Sequence, residues 1–257
     1  MSTATENGQP ILKVVNLKKS YGETRALVAL NLQGRRGTVH TVFGENGSGK
    51  STLMKILSGI IPPDEGQVII NDLVVRRFEP NAMRWLGIAA VFQEVLVAPN
   101  RSVMDNVLLG YDGLFKRRIA REARPTLVRE TLNLITRSCL DLEVQAGALP
   151  LAQQQLIVIA RALVRNPQIL ILDEVTAALD MEDRERLFKY IRQFVSDGRL
   201  VFFISHRIDE VLELSDEITV LQNGSSVASV SGRGLTAEQL LALVCSTETT
   251  LACDTVT

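Results

Sequence analysis

Short, nearly continuous apolar runs recur along this chain, and segments with helical periodicity separate them. The runs cover residues 38–43, 88–92, 169–172 and 200–204. Apolar runs of this length are typical of strands that are buried on both faces of a sheet. Because the runs alternate with helical segments, the pattern predicts an α/β fold with a mainly parallel sheet.

Two regions depart from that alternation. Residues 217–230 hold an Asn-Gly pair between two strand-like runs, which predicts a tight antiparallel hairpin. Residues from about 101 to 164 show helical patterns and no convincing strand, so we expect a helical insertion there. Polar sequences at residues 1–10 and 246–257 predict flexible tails on either side of one domain at 11–245.

The composition narrows the class of protein. The chain has 257 residues, of which 46% are hydrophobic and 22% charged, and this balance is typical of a globular protein with a full core. A net charge of −1 does not favour nucleic acid as a partner. The three cysteines are odd in number and far apart, as expected for free thiols in a reducing compartment. We expect neither a secretory signal nor a membrane span, so that any membrane role would go through a partner.

A glycine-rich motif follows the first apolar run. Gly44-Glu-Asn-Gly-Ser-Gly-Lys-Ser51 matches the pattern G-x-x-x-x-G-K-S/T, and a predicted helix over 51–58 follows it. Backbone N–H groups of such a loop surround nucleotide phosphates, Lys50 adds a positive charge, and the hydroxyl of Ser51 can complete the coordination of Mg²⁺. A plain glycine-rich turn is the alternative interpretation. The predicted ATP-binding residues of the motif are Gly44, Glu45, Asn46, Gly47, Ser48, Gly49, Lys50, Ser51 and Thr52.

Two carboxylates follow the apolar run 169–172. In open α/β sheets, ligands bind beyond the carboxyl ends of the strands. Asp173 is therefore a candidate for the Mg²⁺ site, and Glu174 is a candidate catalytic group that orients the water attacking the γ-phosphate. Without the glycine-rich motif, a solvated strand end would be an equally good interpretation of this pair.

Single polar residues supply further candidates. Gln93 follows the second run and could reach both Mg²⁺ and the attacking water, with a surface glutamine as the alternative. His206 follows the fourth run and could sense the γ-phosphate as a catalytic group. Tyr21 could stack on adenine or belong to the core. Asp180 could serve only as a helix N-cap, and His40 is expected to be packed in the core.

These motifs occur in the order found in the ATP-binding cassette (ABC) ATPases, and the chain resembles that family over about residues 11–245. The segments 44–52, 91–94 and 203–211 resemble most the cassettes of bacterial sugar importers of the ribose, galactose and xylose type. The resemblance implies a P-loop NTPase core with a mainly parallel sheet, an N-terminal antiparallel β portion and a helical subdomain at about 101–164.

The resemblance also implies partners and a location. Two cassettes of this family sandwich two ATP molecules with Mg²⁺, and their closure drives integral membrane permease subunits that take solute from a solute-binding protein. A cassette would therefore lie on the cytoplasmic side of the plasma membrane, attached through the permease subunits. Sugar importers of this type usually carry two cassettes in one chain, whereas this chain holds one. We therefore expect a second cassette on another chain, in a homodimer or a heterodimer.

One segment departs from the family pattern. Where the family has Leu-Ser-Gly-Gly-Gln, this chain has Leu149-Pro150-Leu151-Ala152-Gln153. In the family this segment opens a helix and contacts the γ-phosphate of the ATP that the opposite cassette holds. Pro150 lacks a hydroxyl and an N–H, and Leu151 and Ala152 add bulk where glycine allows close approach. We expect a weakened contact.

That departure leaves two functions open. The first is an ATP-hydrolysing subunit of an importer for a sugar or another small solute. The second is a catalytically weak, nucleotide-dependent regulator or scaffold that binds ATP through an intact loop. The presence of both Glu174 and His206 favours turnover, and therefore the first function.

Overall fold

Two sheets and eight α-helices form the framework of the computed structural model, which describes residues 8–111 and 119–245. The strands are β1 (Pro10–Tyr21), β2 (Thr24–Arg35), β3 (Thr38–Phe43), β4 (Glu65–Ile70), β5 (Leu73–Val74), β6 (Ile88–Val91), β7 (Ile169–Asp173), β8 (Leu200–Ile204), β9 (Glu217–Gln222) and β10 (Ser225–Ser231). The helices are α1 (Lys50–Leu57), α2 (Pro80–Trp85), α3 (Val103–Val107), α4 (Arg124–Asn133), α5 (Leu151–Leu163), α6 (Met181–Ser196), α7 (Ile208–Leu214) and α8 (Ala237–Cys245).

The larger sheet has the strand order β10-β9-β3-β8-β7-β6, and all neighbouring pairs except β9–β10 are parallel. This confirms the mainly parallel sheet and the antiparallel hairpin predicted at 217–230. The smaller sheet is antiparallel, with the order β2-β1-β4-β5. It is the N-terminal β portion that the family resemblance implies.

The register of the parallel strands brings their carboxyl ends to one edge of the larger sheet. Val91 of β6 pairs with Leu172 of β7, and Asp173 pairs with Ile204 of β8. On the other side of β8, Thr41 of β3 pairs with Phe203. The segments that follow these four strands therefore emerge close together, and they carry most of the predicted site residues.

Helix α1 is held under the larger sheet by its apolar face. Leu53, Met54, Ile56 and Leu57 have no exposed surface, and they pack in a core that the smaller sheet shares. Burial of side chains of this size contributes roughly 1.5–3 kcal/mol each. The N-terminus of α1 is thereby fixed beside the end of β3, where the glycine-rich motif connects the two elements.

Residues between 101 and 164 supply α3, α4 and α5, and the described part of this region contains no strand beyond an isolated bridge between Ser102 and Gln145. The helical pattern thus predicted its structure. A fully buried Asn106 joins the region to the segment before it. Its side chain accepts from the N–H of Ala98 at 2.7 Å and donates to the carbonyl of Ala98 at 3.0 Å, and the Arg161 guanidinium of α5 donates to its backbone carbonyl at 2.8 Å.

The smaller sheet begins before residue 11, the predicted start of the domain. Gly8 donates to the carbonyl of Arg36, Arg36 donates to that of Gln9, and Pro10 begins β1, so residues 8–10 belong to the edge of the smaller sheet. Backbone hydrogen bonds hold these residues although their side chains carry no apolar pattern. The rest of that tail, residues 1–7, and the C-terminal tail at 246–257 lie outside the described residues.

Two smaller predictions concern single side chains. His40 is 1% exposed and its Nε2 lies 2.8 Å from the hydroxyl of Thr219, which confirms it as a core histidine. Asp180 caps α6 by accepting from the N–H of Asp183 at 2.8 Å. Among the described residues, no helix combines the length and the apolar character that crossing a membrane requires.

Candidate active site

The glycine-rich motif forms a phosphate loop, here defined as residues 44–51, between β3 and α1. Two of its glycines are required by their backbone and their surroundings. Gly49 has a φ of +105°, and a Cβ there would lie 2.6 Å from the carbonyl oxygen of Ala26. Gly44 has a φ of +153°, and a Cβ there would clash with the carbonyl oxygen of Leu221. A side chain at either position would displace the loop, because both obstacles are backbone atoms.

The side chain of Lys50 is hydrogen-bonded to the backbone of the phosphate loop. This side chain is 9% exposed and donates to the carbonyl oxygens of Gly44 and Glu45, each at 2.7 Å. Burial lowers the pKa of Lys50, and the neighbouring carboxylates of Glu174 and Asp173 partly offset that effect. The ammonium group is therefore costly to keep charged without an anion in the loop.

A second feature shows that the loop suits a phosphate group. The hydroxyl of Ser48 is buried and has no hydrogen-bond partner within the described part of the chain. Buried hydroxyls are usually paired, so an unpaired donor beside backbone N–H groups and a lysine favours an incoming acceptor. Phosphate oxygens are such acceptors, and the residues present therefore fit a nucleotide.

Asp173 is the last residue of β7 and is 7% exposed. Burial and the carboxylate of Glu174 raise the pKa of Asp173 to about 6, against the opposing effect of Lys50. A nearby cation would stabilise the ionised form of a carboxylate that burial disfavours in this way. The chemistry of this group fits the hard, oxygen-preferring Mg²⁺ ion.

Glu174 leaves the line of the strand through a left-handed backbone conformation, with a φ of +51°. Its N–H donates to the carbonyl of Ile204 at 3.0 Å, which fixes the turn against the end of β8. Nδ1 of His206, two residues beyond Ile204, lies 3.4 Å from Oε1 of Glu174. Non-glycine residues with positive φ are uncommon and cluster at functional sites.

The structure thus brings together Lys50, Asp173, Glu174 and His206. Ser51 is exposed and Thr52 half-buried in the first turn of α1, directly beside the lysine. The exposed part of the phosphate loop consists of Glu45, Asn46 and Gly47.

Gln93 and Tyr21 lie outside this group of contacts. Gln93 is exposed just after β6, at the same edge of the sheet. Tyr21 is 48% exposed at the end of β1, so it is not the core tyrosine of the alternative interpretation. Among the described residues, neither side chain is hydrogen-bonded to the phosphate loop or to the ends of β7 and β8.

The segment at 149–153 forms the start of α5. Pro150 is the N-cap and its carbonyl accepts from the N–H of Gln154 at 3.0 Å. Leu151 is 59% exposed in the first turn, while Ala152 and Gln153 are half-buried. The helix therefore begins as the resemblance implies, but an aliphatic side chain covers its outer surface.

Two supporting residues were not among the site residues predicted from the sequence. Gly224, in the turn between β9 and β10, donates to the carbonyl of Ser48 at 3.1 Å and so supports the phosphate loop. The Asn-Gly pair predicted this turn but not where it packs. Glu210 on α7 is completely buried below the turns that carry Glu174 and His206. One feature of the sequence could have identified Glu210: it stands four residues before Leu214, which places a carboxylate on the apolar face of the helix.

Comparisons with known proteins agree with this geometry. The family model described as ABC transporter matches residues 27–177. The ribose import ATP-binding protein of Rhizobium etli is 35% identical over 240 residues, which cover 93% of this chain and 47% of the relative. One from Burkholderia pseudomallei is 36% identical over 242 residues, covering 92% of this chain and 46% of the relative. The chain thus spans about half the length of these relatives.

Solved structures show the same fold. A nucleotide-free ATP-binding cassette from an ABC transporter superposes with a TM-score of 0.79 at 27% identity, over 91% of this chain and 95% of that one. A dimeric cassette in a post-hydrolysis state with ADP and Pi gives a TM-score of 0.78 at 29% identity, over 87% of this chain and all of that one. The fold and family predicted from the motifs are confirmed. The chain belongs to the ABC transporter family.

Proposed function

We propose that this chain is the ATP-binding and ATP-hydrolysing subunit of an importer, and that the imported solute is a sugar of the ribose class. The observation that carries the proposal is the 3.4 Å approach of His206 to Glu174, beside the buried Lys50 of the phosphate loop. The sugar class is supported by relatives named ribose import ATP-binding proteins, of which the chain spans about half.

The nucleotide would be held from three sides. Backbone N–H groups of the phosphate loop, the hydroxyl of Ser48 and the ammonium of Lys50 would bind the β- and γ-phosphates. Ser51, Gln93 and Asp173 would supply oxygen ligands to Mg²⁺, which, when bound, neutralises charge on the phosphates. Tyr21, exposed at the end of β1, would stack on adenine.

Hydrolysis would depend on two side chains at the strand ends. Glu174 would orient the attacking water and accept its proton, because its carboxylate lies near enough to Lys50 of the phosphate loop to oppose the lowering of that residue's pKa. Nδ1 of His206 faces that carboxylate and would hold its orientation, while the same ring would sense the γ-phosphate. Lys50 would stabilise the charge that develops on the phosphate oxygens.

Partners and location follow from the same proposal. We infer a second cassette, in a homodimer or a heterodimer, and this is supported by the dimeric cassette among the similar structures. Integral membrane permease subunits would attach the cassette to the cytoplasmic side of the plasma membrane, and a solute-binding protein would deliver the sugar to them. Nucleic acid is not among the proposed partners, in keeping with the net charge of −1.

A second candidate function rests on the start of α5. Pro150, Leu151 and Ala152 offer no hydroxyl and less room to an ATP held by an opposite cassette. A chain with this segment could bind ATP and turn it over too slowly to drive transport. It would then act as a nucleotide-dependent regulator or scaffold.

Two measurements test the proposal. The purified chain should bind MgATP and release phosphate, and Lys50→Ala should weaken MgATP binding by roughly 10- to 100-fold, since it removes a charge-assisted contact. Lys189→Ala on the exposed face of α6 is the matched control. Equal MgATP affinity in wild type and Lys50→Ala would overturn the site assignment.

The second measurement concerns the solute. Uptake of labelled ribose by cells of the source organism should fall when the gene for this chain is deleted, and should return with the wild-type gene but not with Lys50→Ala. Unchanged ribose uptake, with loss of uptake of a different small solute, would overturn the sugar class alone. Unchanged uptake of every solute, with slow phosphate release, would favour the regulator.

A further inference from the structure

A buried carboxylate lies directly beneath the turns that carry Glu174 and His206. Glu210, on α7, has no exposed surface. Its Oε2 accepts from the hydroxyl of Thr176 at 2.8 Å and from that of Ser205 at 2.7 Å. A single carboxylate oxygen therefore joins the segment after β7 to the segment after β8.

Arginine side chains balance the charge of Glu210. Nη1 of Arg207 lies 3.3 Å from Oε1, and Nη1 of Arg184 on α6 lies 3.9 Å from the same oxygen. A buried carboxylate without such partners would be very unfavourable. The two guanidinium groups near Oε1 offset part of this cost.

The two hydroxyls occupy informative positions in the chain. Thr176 stands two residues after Glu174, and Ser205 stands immediately before His206. Oγ of Ser205 also accepts from the N–H of Arg207 at 3.1 Å. This hydrogen bond spans His206 and closes the turn that contains it. The backbone bond from Glu174 to Ile204 and the approach of His206 to Glu174 also join these two turns, and Glu210 adds two hydrogen bonds to them from below.

We propose that Glu210 is a positioning residue: its two hydroxyl contacts set the distance and orientation between Glu174 and His206. The inference rests on the proposed function, because it assigns Glu210 a role in turnover through those two residues. Glu210 itself lies below the site. A displacement of a reacting group by about 1 Å can cost on the order of 10² in rate, so hydrogen bonds that fix two turns can matter as much as a group in the site.

The fold contains a matched comparison at its opposite edge. Asp216 accepts from the N–H of Val39 at 2.9 Å, near the start of β3, and lies 3.4 Å from Arg192 and 3.2 Å from Arg233. Like Glu210, Asp216 is a largely buried carboxylate that pairs with arginines and joins separate elements of the fold. It does so at the end of the sheet remote from the phosphate loop. Its loss should therefore affect stability without affecting turnover.

The experiment compares steady-state phosphate release by three variants, normalised to folded protein. Glu210→Ala should lower kcat by about tenfold or more and leave KM for MgATP within about threefold. Glu210→Gln should retain kcat within about threefold, because an amide oxygen in the place of Oε2 can still accept from both hydroxyls. Asp216→Ala should retain kcat within about twofold.

Amide hydrogen exchange supplies a readout that needs no turnover. In Glu210→Ala, the amides of residues 174–177 and 204–207 should exchange faster by about tenfold, while the rest of the larger sheet stays protected. Asp216→Ala should leave both segments unchanged. If the wild-type chain released no phosphate, the proposed function would fail, and this measurement would still decide whether Glu210 holds the two turns.

Each of the following outcomes would overturn the inference. Folded Glu210→Ala with wild-type kcat would do so whatever its exchange pattern. An equal loss in Asp216→Ala would show a general structural effect, and an equal loss in Glu210→Gln would assign the effect to the charge rather than to the hydroxyl contacts. Should Glu210→Ala fail to fold, Ser205→Ala removes one of the two contacts, and an unchanged kcat in that variant would equally overturn the inference.

Discussion

The edge of the larger sheet and the start of α5 are built very differently. At the sheet edge, the central polar groups have partners: Lys50 contacts two carbonyls, Glu174 contacts Ile204 and His206, and Glu210 joins the turns. At the start of α5, Pro150 caps the helix without a side-chain hydrogen bond, and Leu151 is mostly exposed.

Because of this difference, the two surfaces of the chain would contribute unequally to the proposed hydrolysis. A nucleotide on this chain's own phosphate loop would meet the residue types that the proposed hydrolysis needs. A nucleotide presented by another cassette to the start of α5 would meet an aliphatic surface and the remaining N–H groups of a helix N-terminus. In a homodimer both nucleotides would face this altered segment, whereas a partner with the family's own segment would complete the site on this chain.

The largest expected effect is that of replacing Glu174 at the edge of the larger sheet. Glu174→Gln should preserve MgATP binding and lower phosphate release by about 10²-fold or more, the usual contribution of a positioned general base. Steady-state release at saturating MgATP, with binding measured separately, checks this. Glu182→Gln, an exposed carboxylate in the first turn of α6, is the control and should keep full activity. Near-normal release by Glu174→Gln would mean that this edge does not supply the group that orients the water.

The next effect tests the start of α5. The isolated chain should hydrolyse ATP slowly, and the combined variant Pro150→Ser, Leu151→Gly, Ala152→Gly should be faster, by up to about 10²-fold, since one positioned donor contributes about 10²–10³. Pro150→Ala with Leu151→Ala removes the proline and the bulk without supplying a hydroxyl or glycines, and should gain less. If the wild-type chain is already fast and the combined variant is no faster, the two surfaces do not differ in function and a homodimeric motor is favoured.

A smaller effect concerns the nucleotide base. Tyr21→Ala should weaken ATP binding by roughly 1–3 kcal/mol, the contribution of one stacked base, and GTP binding should weaken equally because stacking does not distinguish bases. Tyr21→Phe keeps the ring and should bind both nucleotides as the wild type does. Equilibrium binding of labelled nucleotides measures these affinities, and an unchanged ATP affinity in Tyr21→Ala would remove this residue from the site.

The last effect concerns stability and pH, and it leaves turnover aside. Because the pKa of Asp173 rises from 3.8 to about 6 in the folded protein, folding favours its protonated form. The resulting stabilisation is fully present below pH 3.8 and is lost as the pH rises through about 6, a difference of about 3 kcal/mol. Without nucleotide and Mg²⁺, Asp173→Asn should therefore raise Tm at pH 8 by several degrees and change it little near pH 4.

Thermal unfolding at the two pH values measures this effect, and Asp72→Asn, at an exposed turn, is the control. The sheet edge would then be a region where function is kept at a cost in stability. Equal changes of Tm for Asp173→Asn at both pH values would show that the carboxylate of Asp173 is not destabilised by burial.

The elements themselves could be predicted from local sequence. The run 200–204 coincides with β8, and the helix predicted at 51–58 lies one residue from α1. These predictions succeed because burial on both faces selects continuous apolar runs, and burial on one face selects apolar residues at helical spacing. The tail boundary at residues 8–10 could not be predicted in this way, since the backbone hydrogen bonds of Gly8 and Gln9 with Arg36 leave no mark on the side-chain pattern.

The sequence by itself determined which chemical groups are present and at which strand ends they stand, because a parallel sheet collects those ends at one edge. Only the tertiary structure decided how the groups meet. The 3.4 Å approach of His206 to Glu174 and the contacts of Glu210 with two hydroxyls join segments far apart in the chain. Such contacts depend on strand register and on the packing of α7, and the pKa of Asp173 depends on the resulting burial, none of which local periodicity encodes.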